Sequence, residues 1–155
     1  MGVRPDHAGR HRHRGGGVLP MKNSRRGSMI IEASVALPLL LIVLFGGLEF
    51  AWAFTKKVEV TNAARIGARS ASLYTSTYAQ VQSAVSGQME SAGFPEGTWT
   101  LELTPTDPAM ASPGDPVSLR IVADYGAVSL GGLADWFPVP DTISSQAVMR
   151  KEGGQ

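Results

Sequence analysis

An α+β fold built on a long N-terminal helix is predicted for this chain of 155 residues. Two observations support the prediction. An apolar run that only two glutamates interrupt extends from Met29 to Phe54, directly after a basic leader. After Pro95, hydrophobic and polar residues alternate, which is the periodicity of half-buried strands. We expect one long helix, half transmembrane and half an outer extension, with a small outer domain of one helix and about three antiparallel strands.

The charge pattern divides the chain and gives it a direction across a membrane. Residues 1–27 hold seven basic residues and one acidic residue, whereas residues 28–155 hold seven basic and twelve acidic residues. Because basic flanks stay in the cytoplasm, we expect a cytoplasmic N-terminus and an extracytoplasmic C-terminal domain. The predicted regions are a disordered basic leader (1–27), a transmembrane helix (28–54), a helical extension with a second helix (55–92) and a small β-rich outer region (93–155).

The apolar run is long enough to cross a bilayer once. A helix of roughly 25 residues at ~1.5 Å rise is ~37 Å long, and the hydrocarbon layer is ~30 Å thick. A cleavable secretory signal has a shorter apolar core of about 7–15 residues, and a buried soluble helix does not fit the basic flank. Pro38 can bend the helix, and Gly46 and Gly47 leave room for another helix to approach. The alternative is that a membrane helix simply tolerates these residues.

The helix is expected to continue past the membrane, from Thr55 to about Ser72. Small residues four positions apart cover one broad side of it: Ala63, Ala64, Gly67, Ala68 and Ala71. Arg65 and Arg69 form a basic ridge beside that side. We expect the small side to pack on another helix or on the protein's own outer domain. An ordinary solvated, alanine-rich helix is the alternative.

The outer domain is predicted from two kinds of periodicity. Residues from about Thr77 to Ala92 form an amphipathic helix, and Thr77 with Gln80 fits a capping box. Strands are predicted around residues 98–104, 117–125 and 143–150, with loops between them. The apolar residues of the second loop are expected to cover one edge or end of the sheet: Leu130, Leu133, Trp136 and Phe137.

The chain offers little for catalysis. It has no cysteine, and its three histidines all lie in the leader, where we interpret them as part of a flexible basic segment. Glu32 and Glu49 are separated by ~25 Å along a helix and cannot act on one bond. We expect no enzyme activity, no catalytic residue, no metal, no cofactor and no small-molecule substrate. The acidic part does not have the composition of a nucleic-acid surface.

Glu32 needs another explanation, because an ionised carboxylate in hydrocarbon costs several kcal/mol unless it is paired or reaches the headgroups. If the chain is cut after Gly27, a new α-amino group appears at Ser28. Glu32 lies only five residues after Gly27, which is a short distance along a helix. Glu32 would then pair with this amine in the same molecule or in a staggered neighbour. A lone carboxylate that snorkels to the headgroups is the alternative.

Gly27 followed by Glu32 after a basic leader resembles the processing site of type IV prepilins. Glu32 through Leu40, Gly47 through Phe50 and Thr61 through Arg69 together resemble the TadE-like family, the minor pilin-like components of the tight-adherence (Flp-type) pilus. The closing residues 144–152 resemble that family more loosely. Met21 would serve as well as Met1 as the start, leaving a compact leader.

The resemblance implies a pilin-like structural subunit that a prepilin peptidase cleaves after Gly27, with possible N-methylation of Ser28. It places the protein in the plasma membrane of a prokaryote, with the peptidase and other pilin-like and pilus-assembly subunits as partners. A signal-anchored extracytoplasmic binding protein that is not processed at Gly27 is the alternative.

Overall fold

The computed structural model describes residues 1–2, 25–131 and 137–154. Its elements are α1 (Arg25–Ser72), α2 (Tyr78–Ser91), β1 (Trp99–Thr104), β2 (Pro116–Asp124) and β3 (Thr142–Arg150), with short 3₁₀ turns at Pro108–Met110 and Gly126–Val128. The predicted α+β fold is confirmed, with its long N-terminal helix, second helix and three antiparallel strands. By its internal contacts the chain divides into two compact units, Met1–Pro38 and Leu39–Gln155.

In the first unit, the described residues from Arg25 to Pro38 form the N-terminal part of α1. Most of the predicted leader, residues 3–24, lies outside the described residues, and Arg25 to Gly27 are helical. From Met29 to Pro38 every residue is exposed. The Ser34 hydroxyl donates to the Ile30 carbonyl at 2.7 Å, so its polar group is satisfied within the helix itself.

The second unit contains a three-stranded sheet with β2 at its centre. Leu119 on β2 pairs with Leu103 on one side and with Ala147 on the other. Alternate residues of β2 are buried, namely Val117, Leu119, Ile121 and Ala123. The opposite face carries the ion pair between Arg120 and Glu102, whose charged atoms are 3.5 Å apart and whose side chains are about half exposed. One face of the sheet is therefore core and the other faces solvent.

The two helices pack on the buried face of the sheet. In α2, Val81, Val85 and Met89 point inward at helical spacing. Thr77 and Gln80 form the predicted capping box, with both reciprocal hydrogen bonds present. Gly93 ends the helix with φ of 82°, a left-handed conformation that glycine adopts without steric cost.

The connection between β2 and β3 differs from the prediction in detail. Leu133 and Trp136 lie outside the described residues. Phe137 contacts α1 at Gly46, where a methyl group added to the glycine would lie 2.9 Å from the ring. Part of this connection therefore packs on the helix, whereas we expected it to cover an edge or end of the sheet.

Candidate functional site

The predicted processing segment is the beginning of α1. The bond between Gly27 and Ser28 lies in its first turn, and Glu32 follows about one turn later. The Glu32 side chain is exposed, and no other element among the described residues of its own unit covers it. The carboxylate is therefore free to meet a cation close to residue 28 or on a neighbouring molecule.

The surface of α1 beyond Glu32 is apolar and uncovered. Large exposed side chains follow one another along it, for example Leu40 at 64% and Val43 at 73% exposure. The most apolar stretch of the helix, of 18 residues, has a mean hydropathy of 2.4, and none of it is buried in the protein. α1 is thus the one helix in the described residues that is long and apolar enough to cross a membrane.

Further along α1, one stripe of side chains contacts the segments that follow α2 and β2. We call Glu49, Trp52 and Lys56 the docking stripe, because they follow at intervals of three and four and so share a helix face. The Trp52 indole N–H donates to the Val128 carbonyl at 2.7 Å. The Lys56 ammonium donates to the Ala92 carbonyl at 2.6 Å and to Glu59 at 2.8 Å, and lies 4.6 Å from the centre of the Trp52 ring.

Glu49 is the most deeply buried member of the docking stripe, with 0% exposure. Its Oε1 accepts a hydrogen bond of 2.6 Å from the Tyr125 hydroxyl, while Oε2 has no hydrogen-bond partner among the described residues. Burial is the main cause that raises the pKa of Tyr125 above its ordinary value, and the hydrogen bond that its hydroxyl donates to Glu49 and the negative charge of Glu49 raise it further. Tyr125 therefore stays a neutral donor, and it is the group that makes a buried carboxylate tolerable here.

The predicted small-residue side of α1 is buried within the protein itself. Ala64 and Ala68 have 0% exposure. A methyl group at Gly67 would lie 2.5 Å from Val85 and 2.6 Å from Leu119, so only glycine lets α2 and β2 approach this closely. In this structure the small-residue side therefore packs on α2 and β2 of the same chain. Arg65 and Arg69 remain on the exposed side.

Residues 27–69 match the family model described as TadE-like protein. We call this matched part the TadE-like segment, after the family to which it is similar. Its first residue is Gly27 and its last is Arg69, so it includes the predicted processing site, the apolar surface and the docking stripe. No match was found among curated proteins or among solved structures.

Within the TadE-like segment, three residues were predicted to favour contact with another helix. Pro38 lies inside α1, which continues through it, and its side chain is exposed. Gly46 is covered by Phe137 of the same chain, whereas Gly47 has open space where a side chain would be. Contact with a second helix stays a prediction, and Gly47 offers more room for it than Gly46.

Lys151, which lies outside the TadE-like segment, holds the C-terminal end of α1. Its ammonium donates to the carbonyls of Ala71 at 3.3 Å and Leu73 at 2.6 Å, and to the Ser76 hydroxyl at 3.2 Å. The last carbonyls of a helix lack partners within it, and a cation is favourable at that end. This explains why Lys151 is only 4% exposed.

Sequence reasoning missed the partners of Glu49 and Lys151. A signal for the first did exist: the inward positions of β2 continue to Tyr125, whose buried hydroxyl then requires an acceptor. For Lys151 the sequence holds no comparable signal, because two of its three partners are main-chain carbonyls. Among the described residues, no group of three or more histidine, aspartate or glutamate side chains could hold a metal ion.

Proposed function

We propose that this protein is a membrane-anchored, pilin-like structural subunit of a Tad/Flp-type pilus or secretion apparatus, and a substrate of a prepilin peptidase. The observation that carries the proposal is the TadE-like match, which starts at Gly27 and continues through the apolar helix. This match relates the chain to Tad pilus proteins with an N-terminal apolar helix. The finer role rests on the arguments that follow.

Membrane anchoring accounts for the exposed apolar surface of α1. Residues 29–48 number about 20, which at ~1.5 Å rise is enough for ~30 Å of hydrocarbon. The docking stripe begins directly after this stretch, at Glu49. The basic leader favours a cytoplasmic N-terminus, so the sheet and α2 would be extracytoplasmic.

Cleavage after Gly27 gives Glu32 a partner. Hydrolysis of the bond from Gly27 to Ser28 releases the leader with a new carboxylate and leaves a protonated α-amine on Ser28. The exposed Glu32 carboxylate lies about one turn away and can neutralise that amine, within one molecule or between neighbours. Pairing removes much of the cost of a charge at the edge of the bilayer.

A structural role also fits the groups that the second unit buries. Glu49, Lys56 and Lys151 are buried, and each bonds to other parts of the same chain. Such contacts hold α1 against the segments that follow α2, β2 and β3. We therefore propose that the chain is acted on by the peptidase and does not itself catalyse a reaction.

Mass spectrometry of the mature N-terminus tests the proposal. The full chain is expressed in membranes with and without a prepilin peptidase, and we expect a new N-terminus at Ser28 only when the peptidase is present. Gly27→Leu should keep the leader, because a bulky residue then precedes the scissile bond. Gly47→Ala, at a glycine with open space around it, should be processed like the wild type. An intact leader in the wild type would favour the alternative, an unprocessed signal-anchored binding protein.

A further inference from the structure

We propose that copies of this chain associate head to tail, with the outward face of α1 in one copy seated in a groove between α2 and β1 of the next copy. The outward face consists of Asn62, Arg65, Ile66 and Arg69, all exposed, and we call it the basic ridge. Both surfaces lie in the second unit. The proposal does not rest on cleavage at Gly27.

The groove follows the free edge of β1, which pairs only with β2 in the described sheet. One part of it is a cavity of about 300 Å³ whose lining includes Glu90, Glu96 and the half-buried Trp99. A larger cavity of about 520 Å³ shares Glu96 and Trp99 and extends to Tyr78 and Leu101. Glu90, Glu96 and the Trp99 indole therefore line the smaller cavity, and Glu96 and Trp99 also border the larger one.

The ridge and the groove carry opposite charges, and the charged side chains of both form no ion pair within the described residues. The ion pairs of the second unit that the structure describes are Lys56 with Glu59 and Arg120 with Glu102. Within residues 29–131 and 137–154, neither the two ridge arginines nor the two groove glutamates belong to an ion pair. Two cations on one surface thus match two anions on another, which is the arrangement that sets orientation in protein association.

Arginine suits this groove in its chemistry as well as its charge. A guanidinium binds a carboxylate through two parallel hydrogen bonds and also stacks on an indole face. Arg65 and Arg69 are one helical turn apart, ~6 Å along the axis, so both can enter one cleft. Ile66 lies between them, 42% exposed, and provides apolar contact for the part of the groove near Leu101.

The contact joins two different surfaces, so a bound pair still has one free groove, on the copy that gave its ridge, and one free ridge, on the copy that gave its groove, and association continues. The Lys56 ammonium bonds to the carbonyl of Ala92, which places the Glu90 end of the groove beside that part of α1. The ridge lies about ten residues further along the helix, roughly 15 Å at ~1.5 Å rise. Copies with parallel α1 helices would therefore be staggered by roughly that distance.

Cysteine cross-linking of the full chain in detergent tests this contact, because the natural sequence has no cysteine to interfere. Copies with Arg69→Cys are mixed with copies with Glu96→Cys and oxidised mildly. We expect a disulfide-linked dimer in the mixture and only background dimer in either population alone. A chain that carries both substitutions should give a ladder of dimer, trimer and longer products.

Matched controls separate this contact from random collision. Arg120→Cys replaces Arg69→Cys, and Glu102→Cys replaces Glu96→Cys, each an exposed residue of the same charge on the solvent face of the sheet. Mixtures with either control should stay at background. A dimer in a single population would show an isologous contact and overturn the head-to-tail arrangement.

Charge reversal provides a second, independent test of the contact between ridge and groove. Adding Arg65→Glu to the Arg69→Cys copies should reduce the cross-linked yield about tenfold, and adding Glu90→Lys to the Glu96→Cys copies should restore much of it. The proposal would be overturned if neither substitution changed the cross-linked yield, or if the mixture of Arg69→Cys and Glu96→Cys copies gave only background dimer. The mature N-terminus, measured on the same samples, reports on processing separately.

Discussion

The Tyr125 hydroxyl donates to Glu49 Oε1 at 2.6 Å, joining two residues that lie 76 positions apart in the chain. Glu49 lies near the end of the apolar run, and Tyr125 directly follows β2. The Trp52 indole makes a second bond to Val128, just beyond Tyr125. These two bonds fix the turn after β2 against α1 near the end of the apolar run.

Tyr125→Phe should lower the free energy of unfolding by about 1–3 kcal/mol, because a buried carboxylate loses its donor while the packing volume is kept. Glu49→Leu combined with Tyr125→Phe should recover part of this loss, since no unpartnered polar group then remains. Thermal unfolding of the full chain in detergent measures Tyr125→Phe, Glu49→Leu and the double variant. Tyr74→Phe is the control, at a tyrosine that is 58% exposed. A double variant whose loss equals the sum of the two single losses would show that Glu49 and Tyr125 are not coupled.

Alkaline pH should destabilise the fold through Tyr125. Its pKa is raised by burial and by Glu49 above the ordinary value of 10.0, so the folded state keeps the phenol proton that the unfolded state loses. Below pH 10 both states are protonated and this group gives no pH dependence. As pH rises above 10, the unfolded state binds fewer protons and stability falls.

Phenolate absorbance, recorded with unfolding as pH is raised, checks this expectation. The chain has three tyrosines. One ionisation phase should coincide with unfolding, and Tyr125→Phe should remove that phase and flatten the alkaline loss of stability. If the phase survives in Tyr125→Phe, the delayed group is another tyrosine.

Gly67→Ala should destabilise the protein by about 1–3 kcal/mol, because the added methyl group overlaps Val85 and Leu119 in a packed core. Gly87→Ala is the matched control. It also lies in a helix, but nothing lies within 4 Å of the new methyl group, so it should stabilise the fold by up to about 1 kcal/mol. Unfolding midpoints in detergent compare the two. Equal effects would mean that the close approach at Gly67 is not required.

Glu32→Ala should impair assembly more than processing or membrane insertion. The carboxylate is exposed on α1, so its loss should leave the fold intact and remove the proposed partner of the Ser28 amine. Three measurements on one strain test this prediction: the mature N-terminus, the amount in the membrane fraction, and the amount recovered with the assembled apparatus. Only the last should fall, by several-fold. Ser34→Ala, another exposed polar residue of the same stretch, should leave all three unchanged.

Periodicity and caps were enough to predict most of the fold. The capping box at Thr77 and the alternation along β2 depend on neighbours in the sequence, and both are present as expected. The position of Phe137 on Gly46 depends on contacts distant in sequence, which periodicity does not encode. Local rules therefore predict the elements better than the connections between them.

The candidate site was predictable to a similar extent. The segment from Gly27 to Arg69 was identified from its motif, and the family match covers the same residues. The small side of α1 was recognised, but the sequence left open what covers it. Glu49 was visible as a charge in an apolar run, yet its role depends on Tyr125, which the chain brings to it only by folding.

Lys151 gives the folding of this protein a late step. The end of α1 bonds to a residue 80 positions further along the chain, so the helix is capped only after all three strands have been made and placed. A chain that ends before residue 151 lacks this contact, so we expect the last turn of α1 to fray in it. The last residues of the chain are thus part of what keeps the long helix intact at its C-terminal end.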